Sequence, residues 1–73
     1  MPRGEGIHVV PRQGKWGLDG MGVPDKTYDT QSDAIQAGRD IAKQQQTELL
    51  VHGEDGAIRQ RDSYGNDPRS SKG

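Results

Sequence analysis

Cysteine is absent from this sequence, so no disulfide staples the chain and no thiolate is available as nucleophile or metal ligand. Phenylalanine is absent as well, which leaves Trp16, Tyr28 and Tyr64 as the only large aromatic side chains. No apolar run approaches the roughly 20 residues that cross a bilayer. Nor does one sign of charge dominate: 10 Lys and Arg stand against 11 Asp and Glu, for a formal net charge of −1. That balance excludes the strongly basic composition that by itself signals a nucleic-acid binder. Around Met1 to Gly6 there is no apolar stretch of the kind that forms a signal peptide. Together with the missing cysteines, this sets the expectation of a cytoplasmic protein with no membrane partner.

What is present is small. A chain of 73 residues with 27% hydrophobic content holds one domain. Its expected core is Ile7, Val9, Trp16, Leu18, Tyr28, Ile35, Ile41, Leu49, Val51 and Ile58, with Ala34, Ala37 and Ala42 between them. Domains of this size are marginal without staples or partners, so self-association is an expectation from size alone.

Periodicity orders the chain. Ile7-His8-Val9-Val10 is β-branched and apolar, and Pro11-Arg12-Gln13-Gly14 supplies turn chemistry after it. Lys15-Trp16-Gly17-Leu18 alternates and is expected to return as a hairpin, with Trp16 and Leu18 on one face. Asp19 to Asp25 is turn-rich, and Lys26-Thr27-Tyr28-Asp29 is a short third strand. Thr30 stands as N-cap, three residues ahead of Asp33, before a 3.6-residue stripe of Ala34, Ala37, Gly38, Ile41, Ala42 and Gln45. This predicts a helix that ends near Gln46 and, being lined by small residues, lies close to its sheet. Glu48-Leu49-Leu50-Val51-His52 and Ala57-Ile58-Arg59-Gln60-Arg61 read as two strands joined by the turn Gly53-Glu54-Asp55-Gly56. Ile58 faces the core if Arg59 and Arg61 face water.

The fold class is thus α+β: a small antiparallel sheet, in the order β-β-(β)-α-β-β, with the helix on one face. Residues 1–5 are expected to be frayed, 6–62 to form the domain, and 63–73 to be irregular and partly disordered.

Several phrases are more specific than composition. They are Ile7-His8-Val9-Val10-Pro11, Trp16, the Thr30–Lys43 segment, Glu48-Leu49-Leu50-Val51-His52, Asp55-Gly56-Ala57-Ile58-Arg59 and Asp62-Ser63-Tyr64-Gly65-Asn66-Asp67-Pro68. Together they resemble a family of short prokaryotic proteins known as domain of unknown function 2188, over about residues 6–73. The resemblance implies a stand-alone, cytosolic domain of bacterial or phage origin, and it transfers no activity. The tail Pro68-Arg69-Ser70-Ser71-Lys72-Gly73 departs from the proline-rich run that often precedes the closing Lys-Gly of that family.

Candidate chemistry is sparse. His8 and His52 lie on expected strands and would meet if those strands were neighbours, but two ligands fall short of the three or four that a metal site needs. Ser63 lacks the strand-to-helix turn that activates a nucleophile, and the glycines lack a phosphate-binding pattern. No catalytic residue, cofactor or metal is therefore assigned, and a small enzyme using His8, His52 and Ser63 is the remote alternative. Arg59 and Arg61, two apart on one strand, are expected to join Arg12 or Lys15 as a basic strip on the open sheet face. Tyr64 is expected either to tuck against the sheet or to contribute to a recognition segment. The expected function is a non-catalytic binding module using Arg12, Lys15, Arg59, Arg61 and Tyr64, with a protein partner or self-association favoured and nucleic acid the alternative.

Overall fold

The computed structural model describes residues 6–64. Strands β1 (Ile7–Arg12), β2 (Lys15–Asp19) and β3 (Thr27–Tyr28) precede helix α1 (Gln31–Gln45), and β4 (Glu48–His52) and β5 (Ile58–Ser63) follow it. They form one five-stranded sheet in the order β3-β2-β1-β4-β5. The class is α+β, as the sequence indicates.

The first hairpin is tighter than its composition suggests. Gln13 and Gly14 both take positive φ, 51° and 81°, as a two-residue turn of the I′ kind requires. Strand β1 therefore continues through Pro11 and Arg12 instead of stopping at Val10. Proline is tolerated there because Arg12 and Lys15 flank the turn as the hydrogen-bonded pair, which makes Pro11 and Trp16 the other kind. The N–H that proline lacks would point away from β2, beyond the last paired residues of β1 and β4, Val9 and Val51.

Both hairpins are antiparallel, but β1 and β4 pair in parallel, so the sheet is mixed. The reason is β3. Two reversals make β3 run with β1, and a helical return after β3 sets β4 in that direction again.

Helix α1 begins where Thr30 Oγ1 accepts from the Asp33 N–H at 3.1 Å. It ends at Gln46, held in the left-handed region at φ 56°, ψ 52°. The N–H groups of Gln46 and Thr47 reach back to the carbonyls of Lys43 and Ala42, closing a Schellman-type end on a non-glycine residue. Ala34, Gly38 and Ala42 form its buried stripe. A Cβ on Gly38 would lie 3.0 Å from Leu49 Cδ1 and 3.2 Å from Leu18 Cδ2, so the helix rests directly on the sheet.

Ile7, Val9, Leu18, Ala34, Ala42, Leu49 and Val51 make the buried cluster, and Trp16, Val23, Tyr28, Ile35, Ala37, Ile41 and Tyr64 pack around it. Ile58 is the exception among the expected core residues, being 48% exposed. A bulge explains it. Val51 pairs with Gln60 but His52 pairs with Ile58, so Arg59 is an extra residue and the alternation changes phase. Ile58 therefore shares a face with Arg61, away from the helix.

Ser63 closes β5, one residue beyond the expected domain boundary. Tyr64 turns back toward the helix end: its N–H donates to the Thr47 carbonyl at 3.1 Å, and its ring lies 5.7 Å below Lys43 Nζ. The expectations of a frayed start and a partly disordered tail concern residues 1–5 and 65–73, which lie outside the described residues.

Two substitutions separate packing from backbone effects. Gly38→Val is expected to lower unfolding stability in urea by about 1–3 kcal/mol through overpacking, despite the better helix propensity of valine. Gln46→Gly removes left-handed strain from a side-chain-bearing residue and is expected to raise stability by up to about 1 kcal/mol.

Candidate functional site

One helix covers one face of the sheet. Among the described residues nothing packs on the other, which carries His8, Val10 and Arg12 of β1, Lys15, Gly17 and Asp19 of β2, Glu48, Leu50 and His52 of β4, and Ile58 and Arg61 of β5. Leu50 is the buried member, 8% exposed, yet it stands apart from the core cluster. Its neighbours in the row are His8 on β1 and Arg61 on β5.

The two histidines meet at the middle of this face. His8 Nδ1 and His52 Nε2 are 2.9 Å apart, and His52 Nδ1 is 2.9 Å from the Gly56 carbonyl oxygen. A carbonyl only accepts, so His52 Nδ1 carries the hydrogen and its Nε2 is the acceptor for His8 Nδ1–H. The chain of bonds fixes both neutral tautomers and leaves His8 Nε2 with its lone pair. Burial, reinforced by the neighbouring His52, pushes the His8 imidazole below its usual pKa, against an opposite pull from Asp19. No cluster of three or more His, Cys, Asp or Glu fit for a metal occurs among the described residues.

Three of the four cations expected to form a basic strip are individually matched. Arg12 Nη2 donates to Asp19 Oδ1 at 3.0 Å, Lys15 Nζ to Asp29 Oδ1 at 2.8 Å, and Arg59 Nη2 to Asp55 Oδ2 at 3.1 Å. Arg12 reaches Asp19 by lying flat over Gly17, where a Cβ would be 2.9 Å from its Nε. The Lys15 ammonium holds the Asp29 carboxyl below the usual range, while the Ala57 N–H and then Arg59 do the same for Asp55. These pairs are exposed and add little to stability, but they cancel charge locally. Arg59 is folded back against Gly53 by its bond to Asp55 and does not line up with Arg61. Arg61 alone of the four projects from the face without an ion pair among the described residues. Tyr64 sits by the helix end, so the five residues expected to act together are not one surface.

A family model described as an uncharacterized protein conserved in bacteria, DUF2188, matches residues 7–64. The chain belongs to this family. No curated protein and no solved structure matches it.

The matched DUF2188 stretch runs from the first residue of β1 to Tyr64, so it contains the whole sheet, the helix and the histidine pair. Elsewhere on this DUF2188 domain, Pro11, Gly14, Lys15, Trp16 and Glu54 line an open hollow of about 330 Å³. That is the low end of ligand-pocket volumes, and Trp16 spends part of its surface on the core. No helix is long and apolar enough to cross a membrane among the described residues.

Sequence reasoning raised the histidine pair conditionally and left out Asp19, Asp29 and Asp55. Asp55 was legible, since an Asp four residues before an Arg across a tight turn is within reach. Asp19 requires the hairpin register, which the Gln13-Gly14 turn sets.

The histidine arrangement has a pH consequence. Because the folded pKa of His8 is lowered, the unfolded chain binds more protons below about pH 6.5, and stability declines as pH falls through that value. Thermal unfolding of the parent protein is expected to shift down between pH 7.5 and 5.5. His8→Gln should flatten that part of the profile; an equally steep decline in the variant would refute the assignment.

Proposed function

We propose that this domain is a non-catalytic protein-binding module that works through the uncovered sheet face. The observation that carries the reading is the composition of that face. Ile58, 48% exposed, and half-buried Val10 flank a histidine pair whose facing nitrogens bond each other beside the buried Leu50, so the centre offers apolar area and few unspent polar groups. Apolar surface gathered on one face is where interaction sites tend to lie.

Charge supports a protein partner over nucleic acid. A phosphate backbone is attracted by unpaired cations, and three of the four strand cations already hold an aspartate. The remaining Arg61 is the observation that favours the nucleic-acid alternative, and one arginine makes a weak footprint. Catalysis has less support still. Ser63 is the exposed last residue of β5, and His8 and His52 use their facing nitrogens on each other.

The test is a capture experiment from bacterial lysate with the wild-type domain and a Val10→Glu/Ile58→Glu variant, each with and without nuclease. A protein retained by wild type after nuclease and in about 0.5 M salt, and lost by the variant, is the expected outcome. Material that disappears on nuclease treatment would assign the face to nucleic acid instead. Circular dichroism of the variant must match wild type, as expected for two positions outside the buried core.

A further inference from the structure

The uncovered face has a direction. Arg61, Leu50, His8 and Asp19 form one row across β5, β4, β1 and β2. The next row, by the same register, is Ile58, His52, Val10 and Gly17. One end of this surface is therefore cationic and carries the protruding Ile58. The other end carries the Asp19 carboxylate, paired through Oδ1 with Arg12, and Gly17, over which the Arg12 side chain lies.

We propose that this face pairs with the same face of a second copy, about a two-fold axis parallel to the strands and between β1 and β4. The proposal rests on the binding reading above and names its partner. Such a rotation lays β5 of one copy over β2 of the other and keeps each row in place. Arg61 then lies over the partner's Asp19, Leu50 over the partner's His8, and Ile58 over the partner's Gly17 and the Arg12 side chain that lies on it. Each contact occurs twice, as closed two-fold symmetry requires. Strand directions stay aligned, which is a standard way for two sheets to pack.

The alternatives fit less well. A two-fold perpendicular to the strands would lay β5 on β5 and bring the Arg61 ends of the two copies together, a like-charge arrangement. Pairing through sheet edges is obstructed too. Strand β5 is bulged and carries Arg59, Arg61 and Asp62, and β3 offers two residues. Asp19 remains available for a second bond: Arg12 occupies Oδ1, and the side chain is 61% exposed.

Size sets the strength. Four strands about 4.8 Å apart, each presenting five or six residues at about 3.3 Å, span roughly 19 by 18 Å. A patch of that size, roughly 340 Å² per copy, falls below the roughly 800 Å² per partner of standard interfaces, so the dimer is a weak one that forms at high protein concentration.

Sedimentation equilibrium over a dilution series on the full chain tests this, with Arg61→Asp and Asp19→Arg made separately. Wild type is expected to dimerise, and each single variant to weaken the dimer at least about tenfold, because both copies then present like charges. Mixing the two variants in equal amounts should restore a dimer near wild-type strength, since the mixed pair is complementary at both contacts. Both substitutions are at exposed positions, and the mixing result itself reports that the variants are folded. A protein that stays monomeric to about 1 mM, or a dimer indifferent to both variants and their mixture, would overturn the self-pairing. A monomer that still captures a protein, and loses it on Val10→Glu/Ile58→Glu, removes the second copy but leaves the binding reading intact. A monomer that captures nothing removes both.

Discussion

The contact of Ala34, Gly38 and Ala42 with the sheet sets the dimensions of everything else. These three residues lie four apart on one helix ridge, and the absent side chain at Gly38 brings Ile7, Leu18 and Leu49 against the helix backbone. A chain without phenylalanine has little volume to fill a gap between layers. Close approach removes the need for that volume, so seven small and medium apolar residues suffice for a sealed core. The same narrowness means that the helix covers the centre of the sheet. Strand β5 presents Gln60 and Asp62 toward the helix side, hydrogen-bonded to each other at 2.8 Å, and is held mainly by its pairing with β4.

With the helix committed to one side, the opposite face is defined by strand register alone. Register puts His8 beside Leu50, and the parallel pairing of β1 and β4 then brings His52 within bonding distance of His8. The Gly53–Gly56 turn contributes the carbonyl that fixes the His52 tautomer, so the hairpin geometry extends its influence to the middle of the sheet. Around this centre Arg12, Lys15 and Arg59 each bond an aspartate, and Arg61 does not. Long-range steering by such a surface is weak.

Much of this was legible from residue order. Thr30 and Asp33 announced the helix start, the alanine stripe its inner face, and β-branched, apolar or alternating runs the four longer strands. The family resemblance rested on stretches that the matched region contains. Three features were hidden for identifiable reasons. Proline at position 11 signals a strand end locally, but it is harmless where the neighbouring strand has already run out. The parallel junction of β1 and β4 depends on whether the two-residue β3 exists, and a two-residue element has almost no periodicity. The outward turn of Ile58 depends on a single extra residue at Arg59, and bulges leave no mark in an alternating pattern. The expected strip is divided there too, because Arg59 turns to Asp55 while Arg61 stays beside Leu50.

That bulge also decides how the domain divides its hydrophobic residues. In an unbroken β5, Ile58 would join the inner face, and full burial of such a side chain stabilises by roughly 1.5–3 kcal/mol. For a core this small, that increment would be a considerable fraction of total stability. The chain forgoes it and places the isoleucine at the cationic end of the uncovered face, across from a glycine at the other end. Bulges recur at sheet edges where a side chain has to be re-aimed. Strengthening the isolated monomer and equipping the outer surface thus call for opposite orientations of one residue, and the backbone at Arg59 selects the surface.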